Sequence, residues 1–468
     1  MGAKITLVGG GSTHWTPKLT VDFANTPALA DAEVVLYDLV PDSLPPALKV
    51  VEHVAERRGI PLTARATTDI DDALAGAEYV IATFSVGGFA SMRHDIEIPT
   101  HYGIRQTVGD SVGPGGISRS LRSVPVILEV ARAMERRCPD ALLVNVSNPL
   151  TALCRAVTRE TSIRTVGLCA EIVGLKFVLS LLLDADFMSI DPVVAGVNHL
   201  PLVTSLRIGD RDGFAVLRRA LESEGEGGNE GGIDLTGPLW MDPPRAMHYQ
   251  KTDPERGWTK ADVLANNKVK FELFDRFGVL PGSSDTHVVE FFPGFVTSAS
   301  DYGRDWRVHH YGMHGHQSDK ADDDAEMADL LAAEKIPTWP SGEFVASLLE
   351  GLVTGEDRDL PGNIPNSGQV ENLPADVVVE CMVVAGADGV RPRDRATVPS
   401  YLGEHLRRVV SSQELTVEAA ISGDRTIALE AMLADPMAGS LPYEHVVTMT
   451  DELLAATEPW LPQFTARR

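Results

Sequence analysis

The five residues Lys4 to Val8 form a short apolar strand pattern that runs directly into GGGSTHWTPKL, where a helical pattern begins. A strand that turns through glycines into a helix restricts the fold more than any other feature of the chain. Gly9 permits the tight turn. Gly11 lets backbone N–H groups approach a pyrophosphate at the helix N-terminus, with Ser12 beside it. His14 stands where the third glycine of G-x-G-x-x-G is usual, so the pattern alone also admits a glycine turn without a ligand. The next strand, Glu33 to Tyr37, ends at Asp38, whose carboxylate can accept both ribose hydroxyls and would repel a 2′-phosphate. We expect a dinucleotide site built on Gly9, Gly11, Ser12 and Asp38, selective for NAD over NADP.

The rest of the first 150 residues alternates in the same way. Pro17 to Asn25, Leu48 to Arg58 and Leu121 to Arg137 read as helices; Glu78 to Phe84 and Ala141 to Val146 read as strands. Such alternation implies a parallel sheet covered by helices on both faces. The expected class is α/β, with a Rossmann-like dinucleotide-binding domain over 1–165 and an α+β catalytic and oligomerisation domain over 166–468. In the second part, Asp191 to Val197 and Val377 to Val384 have strand character, and Leu217 to Ser223, Asn266 to Phe277 and Leu402 to Leu433 are helical. Glu222 to Gly232 is too polar and glycine-rich to hold a core and reads as a mobile surface loop. The acidic tract Asp319 to Glu326 reads as a solvated helix face.

Charge and cysteine content exclude several classes of function. A formal charge of −25 over 468 residues offers no basic field for nucleic acid or an anionic membrane. No apolar run is long enough for a membrane span. The N-terminal residues lack a secretory pattern, and the four scattered cysteines show no C-x-x-C pair. Reduced thiols and a cytoplasmic location are expected.

Four further segments carry chemistry: Thr107 to Val126 (TVGDSVGPGGISRSLRSVPV), Asn145 to Leu150 (NVSNPL), Val166 to Gly174 (VGLCAEIVG) and Ala195 to Val203 (AGVNHLPLV). With GGGSTHWTP before them, and Asn266 to Pro293 and Ile364 to Glu380 after them, they resemble glycoside hydrolase family 4 in order and spacing across nearly the whole chain. The stretch from Asn266 to Pro293 is closer to the α-galactosidase and uronidase members than to the phospho-glycosidases. The resemblance implies a family set apart from two-carboxylate glycoside hydrolysis by its use of NAD. NAD⁺ takes hydride from C3 of the sugar, the ketone acidifies the C2 proton, and a base removes it. A divalent metal, in this family usually Mn²⁺, stabilises the enediolate while the C1 substituent leaves. Water then adds, and the hydride returns.

By the same resemblance Cys169 and His199 match the metal ligands, which leaves part of the coordination shell to the sugar. Taken singly, a Cys is more often inert packing and a His more often structural. Asn148 and Arg93 match substrate-contacting residues. Asn148 also suits a polar strand cap, and Arg93 suits a surface residue near Asp95 and Glu97. Asn198 either touches the metal shell or braces the loop beside His199. The chain departs from the family pattern at Ala170, where many members carry the proton donor; Glu171 follows it. It departs again at Phe271, where some members place a Tyr base. Glu272 and Tyr249 are then candidate bases, and Glu272 serves equally as a solvated helix residue. His287 matches a motif position, and His309, His310, His314 and His316 have the composition of either a metal tract or a loop at a neighbouring subunit. The implied substrate is a small carbohydrate and the implied assembly a homodimer or homotetramer. The rivals are an NAD-dependent sugar or hydroxy-acid dehydrogenase and an inactive NAD-binding regulatory homologue.

Overall fold

The structure, a computed structural model, describes residues 2–223, 259–338 and 341–465. Six N-terminal strands pair in parallel: β1 (Lys4–Val8), β2 (Glu33–Tyr37), β3 (Thr63–Thr67), β4 (Tyr79–Ala82), β5 (Leu142–Asn145) and β6 (Arg164–Gly167). Their spatial order is β3-β2-β1-β4-β5-β6, the doubly wound arrangement of dinucleotide-binding folds. Both faces are covered, which explains why the inner strands β1, β4 and β5 are mostly apolar instead of alternating, while the edge strand β3 (TARAT) is polar and only partly buried. Ile5 and Leu7 join a layer with Leu19, Phe23 and Leu36, while Val8, Val80 and Leu143 face Leu121, Val124 and Leu153 on the other side. Chain progression reverses between β1 and β4, so the ligand crevice opens outside their C-terminal ends.

The sheet continues past β6. β11 (Arg358–Pro365) lies antiparallel beside it, followed by β12 (Val378–Gly386), β7 (Ile190–Val197), β8 (Leu200–Ile208) and β10 (Leu280–Pro281). Two short strands, β9 (Arg211–Asp212) and β13 (Gly389–Pro392), pair with β8 and β12. The expected boundary after residue 165 thus falls inside β6, within one 13-stranded sheet. Among the described residues no helix is long and apolar enough to cross a membrane.

Three local differences from the sequence reading have clear causes. The helix expected from Leu121 starts at Gly113 and includes the Gly-Pro-Gly-Gly run. These glycines serve close packing: a Cβ on Gly115 would stand 2.9 Å from the Asp95 carbonyl oxygen, and one on Gly116 2.4 Å from Ser111 C. The helix expected from Asn266 to Phe277 begins at Lys268, and a separate short helix, Lys260–Ala265, precedes it. Asn266 and Asn267 bond back to Asp262 O and Val263 O, and the Asp285 carboxylate caps the second helix at Val269 N and Lys270 N (2.8 and 3.0 Å). The acidic tract lies on helix Gly312–Ala332 and is mostly exposed, but Asp323 turns inward and bonds His14 Nδ1 at 2.9 Å. Of the glycine-rich loop, residues from 224 onward lie outside the described residues.

Two buried polar ties fix the framework around the crevice. Arg122 and Asp95, 1% and 0% exposed, join helices Gly88–Thr100 and Gly113–Arg137 through a two-pronged ion pair, and Arg122 Nε also donates to Val86 O. Asp22, on helix Trp15–Asn25, accepts from both the backbone N–H and the hydroxyl of Ser341. Burial pushes its pKa up to about 6 against the opposing pull of those hydrogen bonds.

Arg122→Met leaves Asp95 buried and unpaired and is expected to cost about 3–5 kcal/mol. Adding Asp95→Leu restores most of it, and a denaturant double-mutant cycle in which the second change restores nothing would refute the pairing argument. For Asp22 the sign follows from proton uptake on folding. Between pH 4 and 6 the folded state holds more protons at this site than the unfolded chain, so the group's contribution to stability falls as pH rises. Asp22→Asn should therefore gain on the wild type by on the order of 2 kcal/mol between pH 4 and pH 7. A pH-independent difference in unfolding free energy would exclude this.

Candidate active site

The turn after β1 has the shape that the sequence reading asks of a pyrophosphate cradle. Gly9 has φ +93°, and its N–H and that of Gly10 both donate to Tyr37 O. A Cβ on Gly9 would lie 2.8 Å from Thr83 Oγ1, and one on Gly11 1.9 Å from Ser43 Oγ. Asp38 accepts from Gly11 N (3.1 Å) and Val40 N (3.0 Å), so the carboxylate after β2 is locked against the glycine turn. Ser12 Oγ caps the following helix by accepting from Trp15 N. His14, in place of the third glycine, is held between Asp323 and Lys18.

Further along the same edge of the sheet, side chains from several loops converge. Asn148, after β5, donates through Nδ2 to Asp110 Oδ2 at 2.8 Å. Ser111 Oγ donates to Asp110 Oδ1 and lies 2.8 Å from His199 Nδ1. With the hydroxyl proton spent on Asp110, Ser111 accepts from Nδ1–H of His199, which leaves the lone pair on Nε2. His199 sits in the two-residue turn between β7 and β8 with φ +64°, a strained value for a residue with a side chain. Its ring stacks on His287, from helix Asp285–Phe291, with centroids 3.7 Å apart. Asp110, His199 and His287 are all buried, and one donor atom from each lies within 4.8 Å of the others.

Buried carboxyl groups surround this trio. Glu171, in the first turn of helix Glu171–Leu183, accepts from Ser284 N at 2.6 Å and places Oε1 3.6 Å from His287 Nε2. Glu380, inside β12, accepts from Asn198 Nδ2 at 3.4 Å. Glu290 Oε1 accepts from Val108 N and Gly109 N, both at 2.9 Å, and so fixes the loop that carries Asp110. Burial pushes Glu171 up to about 7, and Glu290 and Glu380 up to about 8. Asp110 is the exception: burial opposes its charge, yet His199, His287 and Arg119 hold it below the usual carboxylate range. Burial lowers His199, with Asp110 opposing. Burial, then Glu380 and Glu171, raise the Cys169 thiol well above its ordinary value.

Acids outnumber bases here. Among the described residues, Asp110, Glu171, Asp285, Glu290 and Glu380 are matched by no buried lysine or arginine other than Arg119 and Lys270. Asn198 Oδ1 and Glu380 Oε1 are buried with no hydrogen-bond partner among the described residues. A divalent cation fits this donor set, because it would offset negative charge and meet nitrogen and oxygen ligands together. The glycine turn suits a dinucleotide on independent grounds, since it joins β1 to a helix where the strand order reverses and has the Asp38 carboxylate locked beside it.

The structure brings Asn148, Glu171, Asn198 and His199 into one buried site and places Cys169 at its border, beside Asn198, Glu171 and Glu380. Arg93 lies outside, half-exposed on helix Gly88–Thr100 and paired with Glu97. Glu272 points outward and pairs with Arg276 at 2.9 Å. Tyr249 lies outside the described residues. The histidine tract divides: burial is the main influence on His316, which also feels Asp110 and Arg119, whereas His310 bonds Tyr302 O. Asp110, Lys270, Asp285, Glu290 and Glu380 were not singled out from sequence. A usable signal existed for two of them, since Glu290 and Glu380 interrupt mostly apolar stretches (HVVEFF, VVVECMVV) that fold into buried elements.

Comparison with known proteins finds relatives along nearly the whole chain. Residues 4–185 match the profile described as "Family 4 glycosyl hydrolase", and residues 194–438 match "Family 4 glycosyl hydrolase C-terminal domain". The α-galactosidase of Bacillus subtilis is 30% identical over 470 residues, covering 98% of this chain and 99% of its own. The crystal structure of the lplD protein of Bacillus subtilis superposes with TM-score 0.83 at 26% identity, over 97% of this chain and 100% of that one. The 6-phospho-β-glucosidase of Thermotoga maritima, solved with manganese, NAD⁺ and glucose-6-phosphate, gives TM-score 0.75 at 19% identity, over 98% and 99% of the two chains.

Proposed function

The chain belongs to family 4 of the glycosyl hydrolases, and from that premise we propose that it cleaves the O-glycosidic bond of small carbohydrates with NAD and a divalent cation, Mn²⁺ by preference. One observation carries the proposal. A buried donor trio, Asp110, His199 and His287, lies on the same edge of the sheet as a glycine turn that a dinucleotide fits. When bound, the dinucleotide borrows a hydride from C3 of the sugar and the cation stabilises negative charge on the C2 and C3 oxygens.

The chain's own residues bind, orient and move protons. His199 belongs to both plausible ligand sets, the geometric trio and the Cys169–His199 pair implied by the resemblance. Asn148 and Ser111 fix Asp110, and Glu290 fixes its loop. Asn198, tied to Glu380, is placed to touch the sugar or the cation shell. Glu171, one position beyond Ala170, is held by Ser284 and turned toward His287. From there it can donate a proton to the leaving oxygen. Burial of the whole group excludes bulk water, which would otherwise weaken each of these interactions.

Aryl glycosides supplied with NAD⁺, Mn²⁺ and a reductant in D₂O should be cleaved with catalytic NAD⁺, without accumulating NADH, and with deuterium at C2 of the released sugar. A dehydrogenase would instead release NADH stoichiometrically, and an inactive homologue would bind NAD without exchange at C2. His199→Ala should weaken Mn²⁺ binding about 100-fold or more and lower kcat/KM with it. Comparing Mn²⁺ affinity in Asp110→Asn and Cys169→Ser separates the two ligand sets. Cleavage that survives removal of both NAD and metal would end the proposal.

A further inference from the structure

Lys270 lies on helix Lys268–Phe277, facing inward, while its neighbour Glu272 points out. Its side chain is wholly buried, and Nζ has no hydrogen-bond partner among the described residues. A buried ammonium without an acceptor is costly, so such an amine is either kept neutral or reserved for a ligand. Two charged groups bear on it, Asp285 from helix Asp285–Phe291 and Glu171 from helix Glu171–Leu183. Burial lowers its pKa, and those two carboxyl groups oppose the shift.

The other buried groups are already committed. Asp285 spends one oxygen on Val269 N and the other on Lys270 N. Glu290 holds two backbone N–H groups, Glu380 is engaged by Asn198, and Glu171 takes Ser284 N–H. Among these groups the amine of Lys270 alone makes no hydrogen bond. It also neighbours Glu171, which lies against His287 of the donor trio.

We propose that Lys270 is the base that takes the C2 proton of the sugar, working opposite Glu171 as proton donor. The inference rests on the glycosidase reading above. The C2–H bond breaks and its proton passes to the neutral amine. The electron pair moves into a C1–C2 double bond as the C1–O bond breaks, and the departing oxygen takes the proton of the Glu171 carboxyl group. Water addition reverses both transfers: Glu171 takes a proton from the water attacking C1, and the Lys270 ammonium returns its proton to C2. The ketone at C3 that acidifies C2 comes from the hydride lent to a nicotinamide dinucleotide and later returned. A neutral lysine in a dry site is chemically suited to this task.

The test uses Lys270→Met, Lys270→Arg and Lys270→Ala beside the wild type, each checked for an unchanged circular dichroism spectrum and Mn²⁺ affinity within about threefold. A 3-oxo glycoside incubated in D₂O with Mn²⁺ and NAD-free protein reports proton exchange at C2 without the oxidation step. The wild type should exchange, and Lys270→Met and Lys270→Arg should be slower by about 100-fold or more. Methylamine should restore at least about tenfold of the loss in Lys270→Ala, a rescue that a packing defect would not show. Wild-type exchange rates in Lys270→Met, full activity in Lys270→Arg, or no rescue by amine would overturn the assignment. A wild type that neither exchanges C2 nor cleaves glycosides would instead bring down the functional reading beneath it.

Discussion

Five carboxyl groups and two basic side chains, Arg119 and Lys270, lie close together where the parallel half of the sheet meets the antiparallel half. Burying so much like charge is unfavourable unless protons or cations relieve it. The chain uses both means. Glu171, Glu290 and Glu380 are pushed toward their protonated forms, while Asp110 is kept ionised by His199, His287 and Arg119 against the cost of burial. The result is a graded set of acids around one persistent carboxylate, with imidazole nitrogens beside it. Each feature of the site, from the strained turn at His199 to the glycine-packed helix start at Gly113, serves to hold that arrangement in place.

The continuity of the sheet explains how residues so far apart in sequence meet. β6 ends just before Cys169, β11 pairs with β6, and β12 carries Glu380 to the level of the β7–β8 turn. Asn363 opposes Gly167 on one side and Glu380 on the other. A glycine at 167 is required there, because a Cβ would meet Leu150 and Cys154 at 2.3 and 2.9 Å. The two halves of the molecule are therefore joined by backbone pairing, and the site inherits the rigidity of a sheet instead of depending on a hinge.

The nucleotide half was legible because its signals are local: strand, glycine turn, helix and a carboxylate at the end of the next strand follow one another within Lys4 to Asp38. The motif residues Asn148, Glu171, Asn198 and His199 were legible through the family resemblance. The remaining members depend on contacts far apart along the chain. Asp110 becomes a candidate ligand only when the β7–β8 turn brings His199 to it, a separation invisible to periodicity. β11 was unreadable for another reason. Its sequence, RDLPGNIP, contains proline and glycine that argue against a strand. Pro361 is tolerated because β6 pairs with β11 through Asn363 alone, so the missing donor at 361 disrupts no ladder on that side.

The placing of the proposed proton donor at Glu171, one position beyond Ala170, follows from the helix that begins there. Ala170 adopts a helical conformation as the N-cap of Glu171–Leu183. One residue further along a helix turns a side chain by about 100°, and at 171 the carboxyl group meets Ser284 N and His287. The positive end of the helix favours a carboxylate at that point, and Ser284 N–H adds to it. Burial outweighs both and leaves Glu171 titrating at about 7.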